Sequence, residues 1–459
     1  MLENTQSNPL GWEKLSTLLK RYAIPSIIAM LVSSLYNIVD QIFIGQGVGY
    51  LGNAATNIAF PLTTISLAIS LLIGIGGASA FSLHLGAGEK ERATATVGCA
   101  IAMMTVCGIA YFAIIKIFIS PLLNIFGATP DVLPYATSYT SITAFGMPFL
   151  IVTNALSNMI RADGSPRYSM ACMLTGAIVN TILDPIFIFP LGMGVVGAAL
   201  ATIIGQFFSF LLAVAYLPRF KQISLNPKVL RLSFKTCGEI AALGMSSSLN
   251  QVALCFVQIV VNNSLRYYGG LSIYGSDIPL AACGIVMKTN AILLSIVVGI
   301  SQGAQPIIGF NYGARQYDRV RGIYRLAILW NLSISAVGFL MFQFFPRQII
   351  SIFGSGDALY YEFAVHFMRT FLFMVIVNGV QLISSNFFSA IGKPMKGALL
   401  SLTRQVLLLV PLILILPLFF ALDGILYAAP IADTAAFLIS LGLISWEMKK
   451  MRQLELAQR

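Results

Sequence analysis

The chain has 459 residues, of which 57% are hydrophobic and only 10% are charged. A soluble domain carries about 25% charged residues, so the composition excludes a soluble protein and indicates one that crosses a membrane many times. The apolar runs are continuous, which also excludes a transmembrane β-barrel, whose strands alternate apolar and polar residues.

Twelve apolar runs are long enough to cross a hydrocarbon core about 30 Å thick, which requires roughly 20 helical residues. The sequence therefore predicts an all-α polytopic membrane protein with twelve transmembrane helices. These helices are predicted to begin near Tyr22, Asn53, Ala93, Leu133, Ser169, Met193, Glu239, Pro279, Ile323, Ala358, Gly397 and Gly424.

The net charge of +11 raises the question of a nucleic-acid partner, but the positions of the basic residues argue against one. Most Lys and Arg residues precede the first helix, follow the last one or lie in the even-numbered connections. Cytoplasmic loops carry such an excess, so both termini are predicted to be cytoplasmic.

The first twenty residues lack the apolar core of a signal peptide. The six cysteines show no C-x-x-C spacing and are predicted to be packing residues rather than disulfides or metal ligands.

The two halves of the chain resemble each other. Gly74 corresponds to Gly299, Pro166 to Pro394 and Gly194 to Gly424, at separations of 225 to 230 positions. Each half then holds six helices, and an even number makes the repeats parallel, with a cleft between two lobes. A duplication that serves only packing is the alternative. The predicted division is a cytoplasmic segment (1–20), an N-lobe (21–217), a cytoplasmic linker (218–235), a C-lobe (236–447) and a cytoplasmic tail (448–459).

Two carboxylates interrupt apolar runs in the first half, Asp40 in SLYNIVDQIFIG and Asp184 in NTILDPIFIFP. A charge at the centre of a membrane helix costs roughly 2.5 to 3.5 kcal/mol even on insertion scales, and it usually has a function. Asn180 precedes Asp184 by four positions, so the two side chains share a helix face. Pro185 has no N–H and frees the carbonyl of Thr181. Such a set of oxygens suits a small cation.

Further polar residues lie in the same half. Tyr36 and Asn37 are within one helical turn of Asp40, and Thr202 and Gln206 form a polar pair in the sixth helix. A six-helix bundle could bring these groups together with Asp184. The two acids are predicted to form a pair that takes up H⁺ or Na⁺. The alternative is that both are structural acids with hydrogen-bond partners.

The second half has one comparable acid, Asp433 in the last helix. It could pair with a basic residue, which is the favoured interpretation, or contact a cationic substrate. Arg404 is expected to extend its side chain to the cytoplasmic boundary. The roles of Lys288, His366 and Arg369 are left open.

The sequence lacks the motifs of several functional classes. There is no G-x-x-x-x-G-K-[ST] sequence for ATP binding, no H-E-x-x-H or serine-elbow pattern for hydrolysis, and no voltage-sensor repeat or selectivity-filter sequence for a channel. The sequence therefore predicts neither an enzyme nor a protein with a bound cofactor.

The segments IPSIIAMLVSSLYNIVDQIFIGQ and NTILDPIFIFPLGMGVVGAALAT, with the paired GAG and NYGAR turns, resemble the multidrug and toxic compound extrusion (MATE) family. The likeness covers nearly the whole chain and is closest to the bacterial MepA-like group related to the DinF branch. It implies two V-shaped lobes and a family cation site at Asp40, Asn180, Asp184 and Thr202. The C-lobe acids of the NorM-like branch are not matched, because LGMSSSLNQVALCFVQIVV in the seventh helix has no carboxylate.

The resemblance implies a monomeric antiporter of the bacterial inner membrane. It would export amphiphilic, often cationic drugs or dyes in exchange for H⁺ or Na⁺, with Tyr36, Asn37, Gln206 and Asp433 as candidate substrate-binding residues. A lipid-linked saccharide flippase of related architecture is the alternative, although it would need cationic residues in the cleft. A receptor or scaffold that transports nothing is a third class.

Overall fold

The computed structural model describes residues 8–226, 229–353 and 357–457, and over these residues the chain is almost entirely helical with no β-strand. Eleven helices are long and apolar enough to cross a membrane, and a bent pair raises the number to twelve. The prediction of an all-α, multi-pass membrane protein is confirmed. The spans are Leu15–Val48 (α1), Tyr50–Gly86 (α2), Lys90–Ile125 (α3), Leu133–Ala162 (α4), Pro166–Ile188 (α5), Gly194–Val214 (α6), Phe234–Gly270 (α7), Asp277–Gly313 (α8), Tyr317–Phe344 (α9), Ala358–Phe371 with Val375–Ala390 (α10), Pro394–Ile415 (α11) and Pro417–Leu456 (α12).

The observed helices begin close to their predicted starts. The largest shift is at α1, which begins at Leu15 rather than Tyr22. The regular part of α12 begins after Ala421, close to the predicted start at Gly424. At α1 the added turns are more polar than the core of the span. Hydropathy locates only the part of a helix that lies in hydrocarbon, and it misses turns that continue beyond it.

Several spans are interrupted. α4 contains a 3₁₀ turn at Ala144–Gly146, and the two parts of α10 are bent by 48°. α11 contains a π-helical segment at Thr403–Leu409, which ends just before Pro411. In α12, Ala421 has a φ of 49°, so the regular helix starts after it. π-helical turns inside α-helices are frequent at functional sites, and the one in α11 carries Arg404.

One face of the bundle carries the first and the last residues that the structure describes, and we call it the terminal face. There the amide of Asn311 donates to the carbonyl of Leu10 at 2.9 Å, which joins the end of α8 to the N-terminal segment. Asp163, between α4 and α5, accepts from the backbone N–H of Lys221 at 2.7 Å. Side-chain ion pairs on this face include Arg321 with Glu455, and Glu447 with both Lys393 and Lys396.

The two six-helix lobes meet along α1 with α8 and α2 with α7. Glycine permits this approach: a Cβ on Gly76 would lie 1.9 Å from the carbonyl oxygen of Ile240, and one on Gly244 would lie 1.8 Å from that of Leu72. Both contacts lie in the half of the bundle nearer the terminal face. The lobes are therefore closed against each other on that side.

Candidate cation-coupling site

Asp40 on α1 and Asp184 on α5 lie next to each other in the N-lobe, with their carboxyl groups in hydrogen-bonding range. The Asp184 side chain is fully buried, and Oδ1 of Asp40 is buried without a donor. Two carboxylates in contact repel each other unless a proton or a cation lies between them. The pair can therefore hold one positive charge and release it.

Asn180 connects this pair to α6. In the amide orientation that satisfies both neighbours, its nitrogen donates to Oδ2 of Asp184 at 2.9 Å and its oxygen lies 3.3 Å from Oγ1 of Thr202. The two helices approach closely because Gly205 faces α5: a Cβ there would lie 2.6 Å from the carbonyl oxygen of Gly176. The four residues Asp40, Asn180, Asp184 and Thr202 therefore form one cluster.

Two tyrosines border the cluster. Tyr36 lies one turn before Asp40 and is near both carboxylates. Tyr139 on α4 lies near Thr202 and also faces both acids. Tyr139 was not among the residues predicted from the sequence. The run of hydroxyl residues in LPYATSYTSIT marked the segment as polar, but no spacing rule connects it to helices that are distant in sequence.

A cavity of about 90 Å³ adjoins the site. About 10 to 15 Å³ of such volume holds one water molecule, so this cavity has room for a hydrated ion. Gln206 borders it with a buried, unpartnered Oε1, and the absence of a side chain at Gly146 leaves room for that oxygen. The lining residues are Ser33, Tyr36, Leu150, Thr153, Asn154, Met173, Gly176, Ala177, Asn180, Thr202, Gln206 and Ser209.

Asn37 does not join the cluster. Its side chain is exposed and donates to the backbone carbonyl of Ser33 at 2.7 Å. Asn37 is adjacent in sequence to Tyr36, and a helix turns by about 100° per residue. Only one of the two can face the acids, and it is Tyr36.

In the C-lobe, Asp433 on α12 forms an ion pair with Nε of Arg404 on α11. Both residues are buried, with 3% and 9% of their surfaces exposed. The expectation that Arg404 reaches the membrane boundary is therefore wrong. The π-helical segment of α11 holds this side chain against α12, where pairing with a carboxylate offsets part of the cost of burying its charge. The pairing of Asp433 with a basic residue is confirmed.

Three other basic residues of the C-lobe have surroundings of their own. His366 Nε2 lies 3.2 Å from Oδ1 of Asp423 in a half-exposed contact. Arg369 donates to the carbonyl of Gln343 at 3.0 Å, and Lys288 is exposed on α8.

Comparisons with known proteins agree with this geometry. The profile of the family described as MatE matches residues 25–186 and 247–415. The chain is similar to the "Multidrug export protein MepA" of Staphylococcus haemolyticus, with 27% identity over 92% of each chain. It is 24% identical to the protein of the same name from Staphylococcus aureus, again over 92% of each chain.

Solved structures share the fold. One titled as a crystal structure of MATE in complex with MaL6 superposes with a TM-score of 0.90, covering 97% of this chain and 99% of the other at 22% identity. Another, titled as the outward-facing conformation of a multidrug resistance MATE family transporter of the MOP superfamily, superposes with a TM-score of 0.89 over 98% of both chains, also at 22% identity. The two-lobe architecture is thereby confirmed.

Proposed function

The chain belongs to the MatE family, since the family profile matches most of its length, and from that premise we propose that it is a secondary active multidrug transporter. It exports amphiphilic, often cationic organic compounds in exchange for H⁺ or Na⁺. The proposal is supported by relatives named as multidrug export proteins and by the MATE structures that share the fold.

One observation carries the coupling assignment: Asp40 and Asp184 face each other in the N-lobe beside a cavity. With a proton or Na⁺ bound, the two acids carry less net negative charge and their burial costs less. Without a bound cation, two carboxylates are left in contact and repel each other. Loading and unloading therefore favour different lobe arrangements. A membrane potential of 100 mV adds about 2.3 kcal/mol for each inward charge.

The four residues Asp40, Asn180, Asp184 and Thr202 hold the coupling ion in this proposal. The two carboxylates suit a hard cation such as Na⁺, for which the Asn180 amide would turn its oxygen toward the acids, and the two carboxyl groups alone suffice for H⁺. No resident cofactor is part of the proposed cycle.

The proposed cycle alternates the cleft between the two sides of the membrane. The structure is closed at the terminal face, which the positive-inside pattern assigns to the cytoplasm. We propose that a single chain in a bacterial inner membrane suffices, with the N-lobe (21–217) and C-lobe (236–447) moving against each other. The linker (218–235) and both terminal segments lie in the cytoplasm.

Everted vesicles that contain the full-length protein test this function. A fluorescent cationic dye is supplied outside, and a proton gradient or a sodium gradient is imposed separately. We expect dye uptake with one of the two gradients and none without a gradient. Translocation of a lipid-linked saccharide without dye uptake would replace the proposal by a flippase, and the absence of both would favour a receptor or scaffold.

A further inference from the structure

Two cysteines from different lobes meet near the terminal face. Sγ of Cys99 on α3 lies 3.3 Å from Sγ of Cys237 on α7, and both are free thiols. α3 belongs to the N-lobe and α7 opens the C-lobe. The contact therefore spans the boundary that has to open if the cleft is ever exposed to the terminal side.

The path of the chain between the lobes sets this contact. A Cβ on Gly98 would lie 2.2 Å from the carbonyl oxygen of Val229, so only glycine lets the linker cross α3 so closely. Four residues further along the linker, the carbonyl oxygen of Ser233 lies 3.9 Å from Sγ of Cys99. Cys237 follows within the next helical turn. The thiol pair is thus built into the passage from one lobe to the other.

A polar junction beside the thiols joins the same lobes. Nε2 of His84, near the end of α2, lies 3.1 Å from Oε1 of Glu239 on α7. Nδ1 of His84 lies 3.1 Å from Oε2 of Glu89, which also binds Arg92 at 3.0 Å. This network holds α2 and the start of α3 against α7. It therefore keeps the two thiols next to each other while the terminal face is closed.

A cavity of about 380 Å³ opens next to the junction. Ala95, one turn before Cys99, and Thr236, adjacent to Cys237, are among its walls. Of the two thiols, Cys237 is partly exposed and Cys99 is buried, so a small polar oxidant from the terminal side would react first with Cys237, and Cys99 would then displace it to form the disulfide. The lining residues are His84, Arg92, Ala95, Lys235, Thr236 and Glu239.

We propose that Cys99 and Cys237 form a redox-modifiable site, at which an intramolecular disulfide locks the lobes together at the terminal face. The inference rests on the proposed transport cycle. Two S–H bonds break and one S–S bond forms, and the two electrons and two protons pass to a two-electron thiol oxidant of the diazene class, which becomes the hydrazine. A dithiol reductant reverses the reaction.

The disulfide arrests the cycle because it limits how far the helices can separate. A disulfide holds its two Cα atoms within about 4.4 to 6.8 Å, so α3 and α7 cannot move apart to open the terminal side. In a reducing cytosol the thiols stay free. The site therefore acts only under oxidising stress, when it stops transport with the cleft closed to the cytoplasm.

Purified full-length protein in proteoliposomes tests the site. Diamide is added, and mass mapping after maleimide blocking identifies the linked peptides. We expect a Cys99–Cys237 disulfide, slower hydrogen exchange at the terminal-face ends of α3 and α7, and loss of gradient-driven dye transport. Dithiothreitol restores all three. The Cys99→Ser and Cys237→Ser variants should transport the dye and resist diamide, whereas Cys255→Ser, on the same helix as Cys237, should remain sensitive.

The outcomes separate this inference from the proposed function. Linked peptides with slowed exchange, in a protein that carries no dye even when reduced, would support the lock and refute drug transport. Transport that continues at full rate after the disulfide is verified would overturn the lock. The lock would also be overturned if no linked peptide forms, or if Cys99→Ser stays as sensitive to diamide as the unmodified protein.

Discussion

The two lobes share a topology, but their buried acids have different partners. In the N-lobe, Asp40 and Asp184 face each other with amide and hydroxyl neighbours. In the C-lobe, Asp433 is already neutralised by Arg404. A carboxylate that has its own guanidinium partner does not need a mobile cation, whereas a pair of acids does.

This contrast indicates that the duplication preserved the helical frame and not the chemistry. Each half keeps six helices and their turns, so the cleft can form between equivalent lobes. We expect ion exchange to be confined to the N-lobe and the C-lobe pair to stabilise its own bundle. Substitutions in the two lobes should therefore fail in different ways.

The largest expected effect is on the N-lobe acids. Asp40→Asn and Asp184→Asn each leave a site that cannot take up and release a cation, so gradient-driven dye transport should fall to the level of empty vesicles. The measurement is initial dye uptake in everted vesicles at matched protein amounts. Either variant transporting at the rate of the unmodified protein would refute the assignment.

Breaking the C-lobe pair should affect stability first. Arg404→Ala leaves the buried Asp433 without a partner, which costs about 3 to 5 kcal/mol. We expect a clearly lower thermal midpoint in detergent. The double variant Arg404→Met/Asp433→Leu should recover most of the loss, because it removes both charges. Arg369→Ala, at an exposed position, is the matched control and should leave the midpoint nearly unchanged.

An intermediate effect is expected for Asn180. A hydrogen bond to a charged group is worth about 1.5 to 3 kcal/mol, so Asn180→Ala should slow coupled transport by about ten- to a hundredfold. The control is Asn154→Ala, since Asn154 lines the same cavity but donates to its own helix at the carbonyl of Leu150. Equal losses in both variants would mean that cavity polarity, and not contact with Asp184, matters.

The smallest effect is expected for Asn37. Its side chain is exposed and bonds within its own helix, and substitutions of that kind usually change stability by less than about 0.5 kcal/mol. Asn37→Ala should transport dye at nearly the unmodified rate over a range of dye concentrations. A loss as large as that of Asn180→Ala would place Asn37 in the substrate path.

The sequence predicted the spans and most of the N-lobe cluster for identifiable reasons. Hydropathy marks helices in lipid, and the i, i+4 spacing of Asn180 and Asp184 survives in any regular helix. Spacing could not reveal which side of α1 faces α5, so Asn37 was placed beside Tyr36. It also could not predict that a π-helical segment turns Arg404 inward, because that geometry depends on packing against α12. Contacts between distant helices, such as Tyr139 with Thr202 and Cys99 with Cys237, leave no local pattern.

Cation release on dye binding tests the N-lobe assignment most directly. Purified protein in weakly buffered detergent is titrated with a cationic dye while proton and sodium activities are recorded. We predict release of one of the two cations, up to about one per chain, since two carboxyl groups in contact hold about one proton between them. Release should vanish in Asp40→Asn and Asp184→Asn and persist in Arg404→Met/Asp433→Leu. Undiminished release from either N-lobe variant, or its loss from the C-lobe double variant alone, would contradict the account.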